Sequence, residues 1–409
     1  MEKYLIRMKN VKFKDLLALL QFFIAIIPAI MWKLWCMAKG VSYWLVCEEE
    51  NEARDNGFVF LEYMKREHPE FKTFYAINRK CADYEKVIQY EPYIIQYGSL
   101  KHWIYYLAAD VNISSQKGGK PNAAVCYLLE VSGILKNNRV FLQHGITLNS
   151  PEFLYFDNTK IRLFITGAVP EHKYICDKFG YPKGWVKLCG LCRFDNYHGI
   201  KPDRRKILLM PTWRYWLKLN FKMDKDSKKE QENISESEYV HTFQSLISNQ
   251  KLVAYLKEKK VELLFCPHRN MQEYLDVFTA EYPVVLCSQD KYSIQELLMQ
   301  CSLMITDYSS VSIDFAYMKK PVIYYQFDID RYRGQQYKEG YFSYKDSGFG
   351  VVAADEEGTV NEIIRSIESG YRFSPEAEDA HRLFFRTYDN KNCERVYQEI
   401  WKIQKRQNL

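Results

Sequence analysis

Residues 302–325 leave the chain few folds to choose from. A buried strand at 302–305 turns at once, through Thr306-Asp307-Tyr308-Ser309-Ser310, into a helix whose apolar positions Val311, Phe315 and Met318 recur at helical spacing. Pro321-Val322-Ile323-Tyr324-Tyr325 then reads as a second strand. Strand, helix and strand at this spacing make a right-handed βαβ unit, in which ligands bind beyond the carboxyl ends of the strands. The small hydroxylated residues of the turn, with Ser309 or Ser310 as N-cap, present unpaired backbone N–H groups at the positive end of a helix dipole. That is a seat for phosphate.

The same alternation runs both ways from this unit. Strands are expected at 43–47, 73–77, 87–88, 111–113, 140–142, 163–166 and 186–188, then at 206–210, 261–265, 284–286, 303–305 and 322–325. An amphipathic helix is expected at 51–66, and helices at 376–385 and 393–404 end the chain. This pattern implies a doubly wound parallel α/β sheet in each of two halves, with a connection near 197–203 and a cleft between them. The expected domains are therefore 1–40, 41–200, 201–375 and 376–409, and 409 residues suffice for two cores. No GxGxxG follows any strand, so the dinucleotide fingerprint is missing. Residues 224–230 are charged and read as a surface insertion.

Residues 1–40 differ from the rest. Lys3, Arg7, Lys9, Lys12 and Lys14 precede an uncharged apolar run from Leu16 to Trp32, and Lys33 and Lys39 follow it. The run is short for a spanning helix and is interrupted by Pro28, so an interfacial or re-entrant anchor on an anionic membrane surface is the expectation, with a buried N-terminal helix packed in the protein as the alternative. No small-residue cleavage site follows Trp32, which argues against a secretory signal.

A formal charge of +6 with no arginine-rich tract suits an anionic substrate or membrane and argues against a nucleic-acid partner. The 11 cysteines have no repeating spacing and read as reduced thiols. Cys189-Gly190-Leu191-Cys192 has no second ligand pair at metal-binding spacing, so no metal site is expected.

Chemistry concentrates at strand ends. Gln143-His144-Gly145 and Pro267-His268-Arg269 each leave an imidazole at the tip of a strand, the first followed by a glycine that permits a sharp turn. Pro211-Thr212-Trp213-Arg214 and Gly190-Leu191-Cys192-Arg193-Phe194-Asp195 end two others. A single histidine in such a place is usually structural; two, one from each half, with arginines and a phosphate seat, suit phosphoryl transfer to a hydroxyl.

Together, Gln143-His144-Gly145, Pro211-Thr212-Trp213-Arg214, Pro267-His268 and Thr306-Asp307-Tyr308-Ser309-Ser310-Val311, with Asp314-Phe315 and Lys320-Pro321, resemble the signature of CDP-glycerol glycerophosphotransferases. Those are bacterial teichoic-acid primases and polymerases and their capsule-assembling relatives. Similar motifs continue through Asp328, Tyr332, Gly340, Tyr341, Asp389 and Arg395. The resemblance implies a two-domain GT-B fold of Rossmann-like domains, the first on the acceptor side and the second binding the CDP-alditol. It also implies attack of an acceptor hydroxyl on the β-phosphate of CDP-glycerol or CDP-ribitol, releasing CMP. Carried over, His144 is the base and His268 stabilises the phosphates. Gly145, Arg214, Arg269, Thr306, Asp307, Ser309 and Ser310 complete the substrate site, with Asp307 orienting the turn. The acceptor would be lipid-linked or polymeric, at the cytoplasmic face of the bacterial membrane, with the protein held there peripherally. No tightly bound cofactor is implied, and Mg²⁺ accompanying the nucleotide is compatible with the resemblance.

Two departures bear on the substrate. Ile146-Thr147-Leu148-Asn149 stands where polymerases often have Thr-Pro-Leu-Lys, and Arg269 replaces a frequent proline. Two other readings make different products or none: a GT-B glycosyltransferase using a nucleotide sugar, and a non-catalytic scaffold for polymer assembly. Retention of both histidines speaks against the scaffold.

Overall fold

The computed structural model describes residues 12–217, 234–336, 338–346 and 349–405. The basic residues Lys3, Arg7 and Lys9 and the charged insertion at 224–230 lie outside the described residues. The chain divides into two compact units: 1–144, 152–196 and 387–409 form the first, and 145–151 and 197–386 the second. The last helix, Asn392–Lys405, thus belongs with the first unit, whereas Pro375–Phe384 belongs with the second.

The first unit is built on seven parallel strands: β1 (Tyr43–Val46), β2 (Lys72–Ile77), β3 (Ile94–Gln96), β4 (Val111–Ser114), β5 (Arg139–Phe141), β6 (Leu163–Thr166) and β7 (Val186–Leu188). Their order in the sheet is β3-β2-β1-β4-β5-β6-β7. β1 lies between β2 and β4, with Leu45 opposite Phe74 on one side and Asn112 on the other. All four β1 residues are buried, as a sheet covered on both faces requires. Side chains alternate along the strand. Trp44 and Val46 pack with Phe60, Leu61, Met64 and the last helix's Val396 and Ile400, while Leu45 and Cys47 pack with Trp103, Tyr106 and Phe22.

Asn392–Lys405 is fixed by more than burial. Trp44 Nε1 donates to Gln404 Oε1 at 2.8 Å, and Asp195 accepts the backbone N–H groups of Asn392 and Cys393 at 2.7 and 2.8 Å. Gly190, at φ +87°, lies so close to Asn392 that a Cβ would collide with the amide. Cys189 and Cys192 are buried packing residues beside Cys393.

The apolar N-terminal run forms one continuous helix, Phe13–Ala38, with Pro28 inside it. The expected interruption is absent because Ala25 and Ala29, on either side of the proline, are both buried, and the helix packs along Leu100–Ala108. Phe22 meets Trp103 edge-on at 5.7 Å. Its inner stripe is mostly small residues, whereas Phe13, Ile27, Met31 and Met37 are 66% or more exposed on the outside.

The second unit holds six parallel strands: β8 (Asp203–Leu209), β9 (Glu262–Phe265), β10 (Val284–Leu286), β11 (Cys301–Thr306), β12 (Val322–Tyr325) and β13 (Gly350–Ala353), ordered β10-β9-β8-β11-β12-β13. Met304 pairs with Leu208 and Val322, so β11 has a neighbour on each side, and all six of its residues are buried. In both sheets the order reverses beside the first strand, between β1 and β4 and between β8 and β11. Such a switch opens a crevice at the carboxyl ends.

Two expectations of secondary structure need correction. Residues 87–88 are not a strand: Tyr84–Val87 and Ile88–Tyr90 are short helical turns, and the edge strand is Ile94–Gln96. β13 was not expected, because Gly350-Val351-Val352-Ala353 is a weak pattern that pairs only on an edge.

Candidate functional site

In the first unit, β5 delivers Gln143 and His144. The left-handed residue of this turn is Gln143, at φ 62°, so the chain turns two residues earlier than the expectation placed on Gly145. Gln143 is buried and His144 is exposed. Main-chain atoms of both are held from elsewhere in the unit. Asn56 Nδ2 donates to Gln143 O at 2.7 Å, and Arg193 Nη1 donates to His144 O at 2.9 Å and to Asp55 Oδ1 at 2.7 Å. Arg193 N also donates to Asn56 Oδ1 at 2.9 Å, which joins the two holds.

Asp55 and Asn56 are placed by the start of the helix Asn56–Glu67. Glu48, just past β1, accepts the N–H groups of Arg54, Asp55 and Phe58 and so satisfies its first turn. Gly119, in the loop after β4, lies where a Cβ would collide with Ser114 Oγ and Cys47 O, so this loop closes tightly over the switch point. Desolvation holds the His144 pKa below the usual histidine value, with Asp55 pulling it up and Arg193 adding to the depression. A neutral imidazole at neutral pH is the form that accepts a proton.

In the second unit, the ends of β8, β9, β11 and β12 carry the chemistry. His268 caps the helical turn after β9: its Nδ1 accepts the Asn270 N–H at 3.2 Å, so the neutral ring carries its proton on Nε2. Trp213 lies over it with ring centroids 6.3 Å apart and planes 30° apart. Arg269 is exposed beside it.

The turn after β11 is tied from below. Asp307 Oδ1 accepts the N–H groups of Thr212 and Tyr308 at 2.9 and 2.6 Å, Gln326 Nε2 donates to Asp307 O at 2.9 Å, and Tyr344 Oη donates to Tyr308 O at 2.9 Å. Asp307 therefore shapes the turn, as its charge suggests it should. Thr306 Oγ1 donates to Met210 O at 2.6 Å in the core, so its hydroxyl bridges β11 to β8. Ser310 sits at the N-cap of Val311–Tyr317 without a side-chain cap bond, while Ser309 Oγ accepts the Val311 N–H at 3.3 Å. Both serines are half-buried at the carboxyl edge.

Arg214 is where the structure departs most from the sequence reading. It is fully buried; Nε and Nη2 donate to Asp328 at 2.7 and 3.0 Å, and Nη1 donates to Thr212 O at 2.6 Å. Nη1 also lies 2.8 Å from Asp307 Oδ2, an ion pair off the line of a hydrogen bond. Burial works against the charge, but Asp307 and Asp328 outweigh it and raise the guanidinium pKa above its ordinary value. Every face of this group is taken up inside the unit, so Arg214 supports the turn and is placed to touch no ligand. Other motif residues have the same character. Tyr332 stacks on Tyr308 at 3.8 Å, Tyr308 Oη donates to Asp328 at 3.0 Å, and Gly340 approaches Leu148 O too closely for any side chain. Gly145 is buried, in the segment 145–151 that belongs to the second unit.

The model of the family CDP-Glycerol:Poly(glycerophosphate) glycerophosphotransferase matches residues 190–402. The chain belongs to this family. The matched span of this glycerophosphotransferase-family chain includes Arg214, His268, Arg269 and the turn Thr306–Ser310, while His144 and Gly145 precede it. The minor teichoic acid biosynthesis protein GgaB of Bacillus subtilis is 29% identical over 363 residues, 88% of this chain and 40% of that protein. The teichoic acid poly(glycerol phosphate) polymerase of the same organism is 23% identical over 379 residues, 85% of this chain and 47% of the relative. The chain thus spans less than half the length of these relatives. A solved structure of the wall teichoic acid polymerase TagF matches with a TM-score of 0.66 at 16% identity, over 98% of this chain and 100% of that one. That likeness concerns the fold, and it identifies the two units as Rossmann-like domains of the GT-B type.

Proposed function

We propose that the chain transfers an alditol phosphate from a CDP-alditol, CDP-glycerol or CDP-ribitol, to a hydroxyl of a lipid-linked or polymeric acceptor. The observation that carries this reading is the grouping of His268, Ser309 and Ser310 at the carboxyl edge of one sheet, inside the span matched by the glycerophosphotransferase family. Named relatives include both glycerol-phosphate and ribitol-phosphate primases, which keeps both alditols in the proposal.

In this reading the acceptor oxygen attacks the β-phosphorus, and the bond from that phosphorus to the bridging oxygen breaks. CMP leaves and a phosphodiester forms. His144 takes the proton of the attacking hydroxyl. His268 donates Nε2–H to a phosphoryl or leaving oxygen, while backbone N–H groups and hydroxyls of Ser309 and Ser310 hold the diphosphate; each is stronger against developing charge than against the ground state. Arg269 is assigned to the outer phosphate. Thr306, Asp307 and Arg214 hold the turn in shape.

The helix Phe13–Ala38 supports attachment to the cytoplasmic face of the membrane. Its outer face is apolar, Lys14 and Lys33 in the helix are exposed, and so are Lys12 and Lys39 at its two ends, the arrangement of an interfacial helix on an anionic leaflet.

The test is CMP release by the full chain with CDP-glycerol or CDP-ribitol and a lipid-linked acceptor, run beside His144→Ala. Release that requires acceptor and falls by at least a hundredfold in the variant is the expected result. Consumption of a nucleotide sugar, with neither CDP-alditol cleaved, would replace this reading with a glycosyltransferase. Folded protein inert toward every donor would point to the scaffold.

A further inference from the structure

Gln143 adopts the left-handed conformation, at φ 62°, while fully buried. For a residue with a side chain this conformation is unfavourable, and it persists only where the surroundings over-determine it. Glycine would have been the economical residue here.

The surroundings do over-determine it. Gln143 Nε2 donates to Ile165 O at 2.8 Å and to Glu171 Oε1 at 3.0 Å. Glu171 lies in the first turn of Val169–Lys178, is wholly buried, and accepts the Gly167 N–H on Oε2 at 2.8 Å. The carboxylate therefore ties the β6–helix turn to the glutamine amide with one oxygen each. Asn56 holds the Gln143 carbonyl, and Arg193 holds the next one. A left-handed residue reverses where the following side chain projects, so the conformation of Gln143 decides where the His144 ring stands.

We infer that Glu171, 28 residues from Gln143, is a positioning residue that aims His144 by pinning the Gln143 amide in the left-handed turn. A glutamine in that turn is a better aiming device than a glycine, because its side chain gives the fold a handle that glycine lacks. The inference rests on the assignment of His144 as the base. A displacement of about 1 Å at a reacting group costs up to about a hundredfold in rate.

Glu171→Ala removes both bonds and releases the Gln143 amide, whereas Glu171→Gln keeps one oxygen that can still accept from Gln143 Nε2. The expected result is a kcat lower by about 10- to 100-fold in folded Glu171→Ala, with KM for CDP-glycerol within about threefold of the parent, and a smaller loss in Glu171→Gln. Gln143→Gly, which holds the left-handed turn without strain, is expected to restore part of that kcat when combined with Glu171→Ala. A purely structural role predicts the opposite, a double variant worse than either single one.

A readout free of substrate separates this inference from the functional reading. The His144 imidazole resonance, assigned by its loss in His144→Ala, is titrated by NMR in the parent and in Glu171→Ala. A titration midpoint moved toward the ordinary histidine value supports aiming by Glu171, even if the parent releases no CMP, in which case the functional reading alone fails. An unchanged midpoint together with unchanged kcat overturns the inference, as does a loss of activity that merely follows the folded fraction.

Discussion

The roles proposed for His144 and His268 differ, and their surroundings make the difference measurable. The His144 pKa is held below the ordinary histidine value, chiefly by desolvation. A base works unprotonated, so kcat/KM should rise with pH through an acid limb whose midpoint lies below about 6.5, the reference value for a free imidazole. An acid limb centred above that value would show that another group is titrating. For His268, the proton is on Nε2, and a glutamine amide can place an N–H near the same point whereas alanine cannot. His268→Gln should therefore retain at least about tenfold more kcat than His268→Ala, the scale of a single donor to developing charge.

Arg214 separates stability from binding. Replacing it with methionine leaves Asp307 and Asp328 buried without their cation, a loss of about 3–5 kcal/mol in unfolding free energy by urea titration. A variant of unchanged stability but raised KM would instead make Arg214 a ligand contact. At this scale the sequence shows the two histidines and the serines, because the chemistry itself selects those residue types at strand ends. Asn56, Asp55 and Glu171 were hidden, and Arg193 stood out only as a strand-end arginine, with no sign that it grips the His144 carbonyl and Asp55. Asn56 reaches Gln143 across 87 positions, and no local pattern distinguishes an asparagine that caps its own helix from one that grips a distant carbonyl. Arg214 was misread for the same reason: an arginine after a strand looks alike whether it faces phosphate or two buried carboxylates.

Among the elements, the helix Phe13–Ala38 makes the plainest prediction. Its outward residues Ile27 and Met31 are 69% and 66% exposed, so Ile27→Glu with Met31→Glu should leave the fold intact. Binding to vesicles containing anionic phospholipid should drop by at least tenfold in sedimentation, because two apolar side chains are lost and two negative charges added. Equal binding by the variant would remove this helix from the membrane contact. The apolar character of the segment was legible from composition; its continuity through Pro28 was not, since it comes from packing on Leu100–Ala108, which only tertiary structure supplies. Central strands were legible because burial on both faces makes them continuous apolar runs. Edge strands β3 and β13 are three and four residues long and carry half that signal.

For the molecule as a whole, the return of Asn392–Lys405 to the first unit matters most. Ile400 is fully buried beside Trp44 and Phe60, so Ile400→Ala should cost about 2–5 kcal/mol, seen as earlier melting of the first unit when tryptophan fluorescence is followed. Two similar halves were readable from the alternation of strands and helices. That the final helix completes the first of them was not, because an amphipathic helix does not announce which sheet it will cover.

Seen along the chain, residues 197–386 are an insertion within the first unit, whose core closes only when residues beyond 387 arrive. On the ribosome, every residue up to Gln404 must therefore emerge before Trp44 finds it, and the first sheet waits with part of one face uncovered while the second unit has all its strands. A fragment ended near residue 196 would expose that apolar face and aggregate. A fragment joining 12–196 to 387–405 through a short linker would carry every strand and helix of the first unit, so domain dissection of such a protein has to cut twice.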